Sequence, residues 1–262
     1  MPAIFDEDPA APPSHPLTPA LLGRLEDLLT RVDLLPMVER RPVVSLAPGR
    51  PPQIVLSEII APLETIRRRL IPDADLAADP WLLRRLRATL EAQLMELLAK
   101  GRLEIGPLPF GIDTPVAAVG GSAFAAFDGW LRQCGRSDAL IDLHLMDVFA
   151  DFPAYLRARD RLHALGYRLC LDGVTADALP FVDRAALGFD IVKVVWSPSL
   201  ASELTAAGNS RLKELADHNG RGRIILTDID SDLGVRHAHA VGVTLFQGPW
   251  VEAALTAAPS AA

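Results

Sequence analysis

The chain has 262 residues, half of them hydrophobic, and a formal net charge of -7, enough for a sizeable core but without the basic surface that nucleic acid or an anionic membrane requires. Two cysteines, Cys134 and Cys170, exclude a disulfide framework; Cys170 sits in a strand-like run and reads as a small buried hydrophobe in a reducing compartment. No apolar run of 18 or more residues and no basic stretch leading into an apolar one occurs, so a soluble, cytoplasmic chain is expected.

Residues 1–16 are rich in Pro, Ala and acids, and are expected to be a disordered arm. LTPALLGRLEDLLTRV has helical spacing, with Thr18 as N-cap and Pro19 at the first helical position. RPVVSL and QIVLSEII read as strands. A long amphipathic helix starts near Asp79-Pro80 and is stopped by Gly101. LEIGPLPFGID and LIDLHL are expected strands around the helix SAFAAFDGWLRQCG, and FPAYLRARDRLHALG is a helix closed by Gly166. YRLCLDG, DIVKVV, RIILTDI and TLFQGPW complete the strands, with helices between most of them. One domain over 17–256 and a loose tail at 257–262 follow.

About eight aliphatic strands alternating with helices predict an α/β fold, a (β/α)8 barrel of the TIM type. An open doubly wound sheet is the alternative, because periodicity does not distinguish closed from open sheets; no glycine-rich phosphate loop supports it. Chemistry in such barrels sits at the C-terminal strand ends. The polar residues there are Asp113, Asp142, Asp172, Lys193, Thr227, Asp230 and Gln247. Converging carboxylates could hold a hard cation such as Mg²⁺, with Asp113, Asp142 and Asp172 as candidates; equally, Lys193 could neutralise them in a solvated mouth. His144 shares a strand face with Asp142 and reads as a hydrogen-bonded lumen histidine, or less simply as half of a metal pair. His237 and His239, two apart on a helix, do not form a chelate. The arginines at 67–69 and at 84, 85 and 87 read as solvated faces or as docking points for an acidic partner.

Several segments in order resemble the EAL family of cyclic di-GMP phosphodiesterases. LCLDGVTADALPFVDRAALGFDIVKVV is similar to the family's LDDFGTG…DILKID, with Gly173 for the second Asp, Val174 for Phe and Val195 for the last Asp. Arg41-Pro42 stands at the family's Gln-Pro, Asp113 at its Asn, Phe124 at its Phe, and LIDLHL at LEITE with Asp142 and Leu145 for the two Glu. IILTDIDSDLGVRHAHAVGVTLFQG tracks IAEGVET…LG…QG without a gap, keeping Gly242, Gln247 and Gly248 but placing Thr227 and Asp230 at the two Glu. Counted without a gap from Pro42, the signature Glu falls on Val55, and the arginine that contacts nucleotide in the family falls on Ile59. Recruiting Glu58 instead needs a bulge, since positions three apart on a strand face opposite sides; on the ungapped count Glu58 is an ordinary rim or helix-facing charge.

The resemblance implies two-metal hydrolysis in the family. Here the vestigial site comprises Arg41, Val55, Asp113, Asp142, Asp172, Gly173, Lys193, Thr227, Asp230 and Gln247, with no catalytic residue and no cofactor expected; Mg²⁺ or Mn²⁺ would matter only to residual activity. A lost general base alone costs about 10²–10⁴ in rate. The expectation is therefore an inactive EAL-like domain, a regulatory or protein-interaction module in cyclic di-GMP-related signalling. Its partner would be an unspecified protein, with no nucleic acid, no membrane and no retained cyclic di-GMP. The alternatives are a non-hydrolysing cyclic di-GMP receptor and a weak metal-dependent phosphodiesterase. Replacement of the family's loop by GVTADAL implies altered or absent dimerisation.

Overall fold

A computed structural model of the chain describes residues 15–197, 199–200 and 210–257; the expected arm over 1–14 and the tail from 258 lie outside these. The arm's expected limit at residue 16 is too late: His15–Pro16 (β1) pairs in parallel with Ala74–Asp75 (β4). Likewise Ala257 belongs to the last helix, Pro249–Ala257.

Eight strands close into a barrel: β2 (Glu39–Ser45), β3 (Gln53–Ile60), β5 (Phe110–Asp113), β6 (Ala139–His144), β7 (Arg168–Val174), β8 (Ile191–Val195), β9 (Ile224–Thr227) and β10 (Leu245–Phe246). Closure excludes the open sheet. The order β10-β2-β3-β5-β6-β7-β8-β9 is parallel except that β2 runs antiparallel to both β3 and β10. Residue periodicity carries no strand direction, so this reversal had no sequence signal. LEIGPLPFGID is strand only from Phe110, because Pro107 and Pro109 cannot donate to a ladder.

The helices follow their local signals. In α1 (Pro19–Leu29) the Thr18 side chain accepts from Leu21 N–H, and Leu22, Leu25 and Leu29 form the buried stripe. After α2 (Leu63–Leu70), Asp79 caps α3 (Pro80–Ala99) through the N–H groups of Trp81 and Leu82. α4 (Ser122–Gln133) buries Phe124, Phe127 and Leu131 between barrel and helices. α5 (Leu145–Ala150) and α6 (Phe152–Ala164) follow β6, and Gly166 ends the second at a positive φ of 86°. α1, α2 and part of α3 share a separate apolar cluster around Leu25, Ile66 and Leu86.

The lumen is built in layers. Val43, Leu56, Leu140, Cys170, Ile191 and Ile225 form a small inner cluster, joined by Val55 and Leu245. Because side chains alternate with period two, residues two further toward the mouth on these strands point into the same lumen one layer higher. That layer is Arg41, Glu58, Asp142, Asp172, Lys193, Thr227 and Gln247, all lining one cavity.

The chain after β9 passes tightly against Gly248. Ile229 N–H donates to the Gln247 carbonyl (3.1 Å) and Trp250 N–H to the Ile229 carbonyl (3.0 Å). Gly248 has φ 142°, and a Cβ there would run into the Ile229 backbone and meet Asp228 C at 3.0 Å. Gly248→Ala is therefore expected to cost more than about 2 kcal/mol, read as a lower urea midpoint with an unchanged slope.

Candidate functional site at the barrel mouth

The mouth opens into a cavity of about 520 Å³. At its floor the Lys193 ammonium, 2% exposed, touches Glu58 Oε1 and donates to Asp142 Oδ2 at 2.9 Å. Gln247 Nε2 donates to the other Glu58 oxygen at 2.7 Å. Burial opposes the lysine's charge, but Asp142 and Glu58 reverse that and hold its pKa well above the usual range. Burial raises the Asp142 carboxyl, against the pull of Lys193. Lys193 thus stands as a fixed cation inside a cage of side-chain oxygens.

Of the two residues weighed for the signature position, Glu58 reaches the mouth and Val55 does not. The ladder of β2 and β3 runs Arg41↔Glu58, Pro42↔Ser57 and Val43↔Leu56, then slips so that Val44 faces Ile54. Val55 is the unpaired residue of that bulge and joins the inner apolar cluster, while Glu58 faces the mouth, 6% exposed. Glu58 is therefore no rim charge. Ile59 is fully buried in the outer core, and four residues after Glu58 stands Pro62 at the start of α2. Neither residue supplies a cation.

Gly111 explains how Glu58 and Asp142 come so close. It lies between them on β5, and a Cβ there would meet Asp142 Oδ2 at 3.0 Å and Glu58 Cγ at 3.1 Å. Asp113 and Asp172 line the same cavity. The β7–β8 ladder slips between Leu171 and Val174, and Gly173 takes φ 74° within it. A side chain at Gly173 would collide with the His144 ring, so the glycine and the histidine belong together. His144 accepts from Met146 N–H through Nδ1 (3.2 Å), capping α5 as a hydrogen-bonded residue of the mouth; burial lowers its pKa. Thr227 is buried with its hydroxyl toward the Val194 carbonyl (3.4 Å).

Asp230 departs from expectation: it is exposed, accepts from the Ser231 hydroxyl (3.0 Å) and does not line the cavity. The reason is Asp228, whose φ of 58° turns the chain and ends the strand alternation at Thr227. Asp228 stands where the resemblance has a glycine and brings a carboxylate to the cavity wall. It escaped the sequence reading, although an aspartate at a glycine position was a visible signal. Glu91 was also missed. One face of α3 covers the mouth with Leu83, Arg84, Arg87, Leu90, Glu91 and Leu94, and Arg84 pairs with Asp147 of α5. This helical-period stripe was legible, but not the surface it packs on.

Burial, reinforced by the charge of Asp113, pushes Glu91 up to about 8; burial, reinforced by Asp172, pushes Asp113 up to about 7. Among the described residues no group of three or more His, Cys, Asp or Glu side chains is arranged to hold a metal ion. The donors do not fit a metal pair: Glu58 and Asp142 are committed to Lys193, and Gly173 and Thr227 offer no carboxylate.

No family model and no curated protein matches the sequence. Solved structures do match the fold. The chain is similar to the Xanthomonas citri FimX EAL domain, solved in complex with cyclic di-GMP, at TM-score 0.60 and 13% identity over 87% of this chain and 91% of that one. It is similar to Klebsiella pneumoniae BlrP1, solved as a manganese and cyclic di-GMP complex, at TM-score 0.55 and 15% identity over 82% of this chain; it spans only 56% of the BlrP1 chain. The EAL domain of Mycobacterium smegmatis DcpA gives TM-score 0.51 and 16% identity, covering 82% and 91%. The molecule is an α/β barrel with a polar mouth, and its fold is that of EAL domains. No described helix is long and apolar enough to cross a membrane.

Two outcomes are expected. Lys193→Met strands two buried carboxylates and should cost about 3–5 kcal/mol in chemical denaturation. Glu91 and Asp113 bind protons in the fold at pH values where the unfolded chain has lost them, so stability should fall as pH rises through that window. The melting temperature should drop between about pH 5 and about pH 8.5, and Glu91→Gln should flatten the slope.

Proposed function

We propose that this chain is a catalytically inactive EAL-fold domain acting as a regulatory, protein-binding module in cyclic di-GMP-related signalling. The observation that supports this reading is the Lys193 ammonium held between Glu58 and Asp142. Those two carboxylates are buried in the mouth, and a lysine already neutralises them. A divalent ion entering there would have to displace a buried ammonium, at a cost in desolvation and lost pairing of several kcal/mol. Gly173 and Thr227 leave a second ion without ligands, and Pro62 leaves a phosphate without its arginine. Barrel stability lies in the strands and the inner core, so the mouth can lose its chemistry while the outer surface serves a partner. The partner is a protein; neither a nucleic acid nor a membrane suits the acidic chain.

A second reading is favoured by one observation: Glu58 does reach the mouth beside Asp113, Asp142 and Asp172. It is a weak metal-dependent phosphodiesterase, or a receptor that holds cyclic di-GMP uncut. Incubation with cyclic di-GMP and Mn²⁺ or Mg²⁺ separates these readings. The inactive module yields no linear dinucleotide above a buffer control and flat calorimetric traces. Linear product that disappears in Asp172→Ala, or micromolar heat without product, supports the second reading instead. Affinity capture from the native cell is expected to recover a stoichiometric protein; repeated recovery of background alone contradicts the module.

A further inference from the structure

Outside the mouth, the segment after β6 carries an apolar face that is left uncovered among the described residues. Met146, Phe149 and Phe152 stand three residues apart from α5 into α6 and are 40%, 50% and 39% exposed. The Phe149 and Phe152 rings stack at 6.3 Å and 18°, and Phe152 leans at 5.6 Å on Tyr155, which is fully buried, so the face is held from below. On the segment after the neighbouring strand β7, Phe181 is 77% exposed. Single exposed apolar side chains are ordinary, but a stacked aromatic pair beside a methionine is a patch of the kind that partners cover. The charges of these two segments have one sign. Residues 137–156 and 169–183 contain no Lys or Arg. Asp147 is already held by Arg84 of α3. Asp151 and Asp177 are exposed and in no ion pair among the described residues, Asp151 also capping α6 through one oxygen.

We propose that the face of Met146, Phe149 and Phe152 docks an amphipathic helix of a partner protein, whose apolar stripe is flanked by Lys or Arg. The inference deepens the reading of the chain as a protein-binding module and rests on it. Two considerations choose this occupant over a second copy of the chain. The first is area: three side chains exposed to this degree offer on the order of 300 Å², well short of the roughly 800 Å² that each partner gives a stable dimer. A single helix that lays two or three apolar anchors on the face needs no more than that. The second is charge. The chain carries -7 overall, and the unpaired charges of the two segments, Asp151 and Asp177, are acidic, so a second copy meets like charge where a basic helix meets its complement.

Fluorescence anisotropy on the full chain tests this with a labelled helical peptide carrying Leu at i, i+3, i+4 and i+7 and Lys elsewhere, and with a twin in which Glu replaces Lys. Saturable one-to-one binding of the Lys peptide is expected, with the Glu twin at least about tenfold weaker. Phe149→Ser should weaken the Lys peptide by about tenfold. Attraction by net charge alone would survive that change. The double variant Asp151→Asn, Asp177→Asn, which keeps a capping side chain at α6, should weaken it about threefold and reduce its salt dependence. It also keeps the test decisive should Phe149→Ser fold poorly. Absence of saturable binding, equal binding of the Glu twin, or binding unchanged in both variants overturns the proposal. So does sedimentation of the chain as a dimer that Phe149→Ser disperses, which would place a second copy on the face. Hydrolysis of cyclic di-GMP would instead remove the inactive-module reading and leave the peptide titration to be judged by its own outcome.

Discussion

A single buried ammonium sets the character of this molecule. Lys193 is fully buried at the cavity floor, and both of its carboxylate partners come from strands on other sides of the lumen. Removing charges from water is expensive, and the mutual attraction of the three groups repays the cost only while all three are present. The arrangement therefore adds little net stability compared with an apolar plug. What it does impose is occupancy: the place where oxygen donors converge already holds a positive charge that belongs to the chain.

The neighbouring features follow from that constraint. Gly111 provides the close approach between Glu58 and Asp142, and Gln247 from the closing strand satisfies the remaining Glu58 oxygen. Gly173 and His144 fit each other sterically, so restoring a carboxylate at one position requires moving the other. Arg84 and Asp147 link α3 to α5 across the rim, fixing the helix that brings Glu91 over the cavity. These residues thus form one consistent polar surface.

Much of this was legible from residue order. Their position at C-terminal strand ends brought Asp142, Asp172, Lys193, Thr227 and Gln247 together at the mouth, and Thr18 and Asp79 marked two helix starts. The failures have physical causes. A β-bulge is invisible to residue counting, so the register of β2 against β3 put Val55 where Glu58 stands. Backbone direction leaves no trace in hydropathy, which hid the antiparallel β2. The left-handed turn at Asp228 removed Asp230 from the lumen, and the docking of α3, whose packing surface leaves no sequence signal, brought in Glu91. The likeness to EAL domains at 13–16% identity is one of fold.

The most direct test of the central claim is anomalous scattering from crystals grown with Mn²⁺ and cyclic di-GMP. The account predicts no manganese peak between Glu58 and Asp142, with the Lys193 ammonium still in contact with both. A manganese ion coordinated by Glu58, Asp142 and Asp172, with Lys193 displaced from the cage, would contradict it.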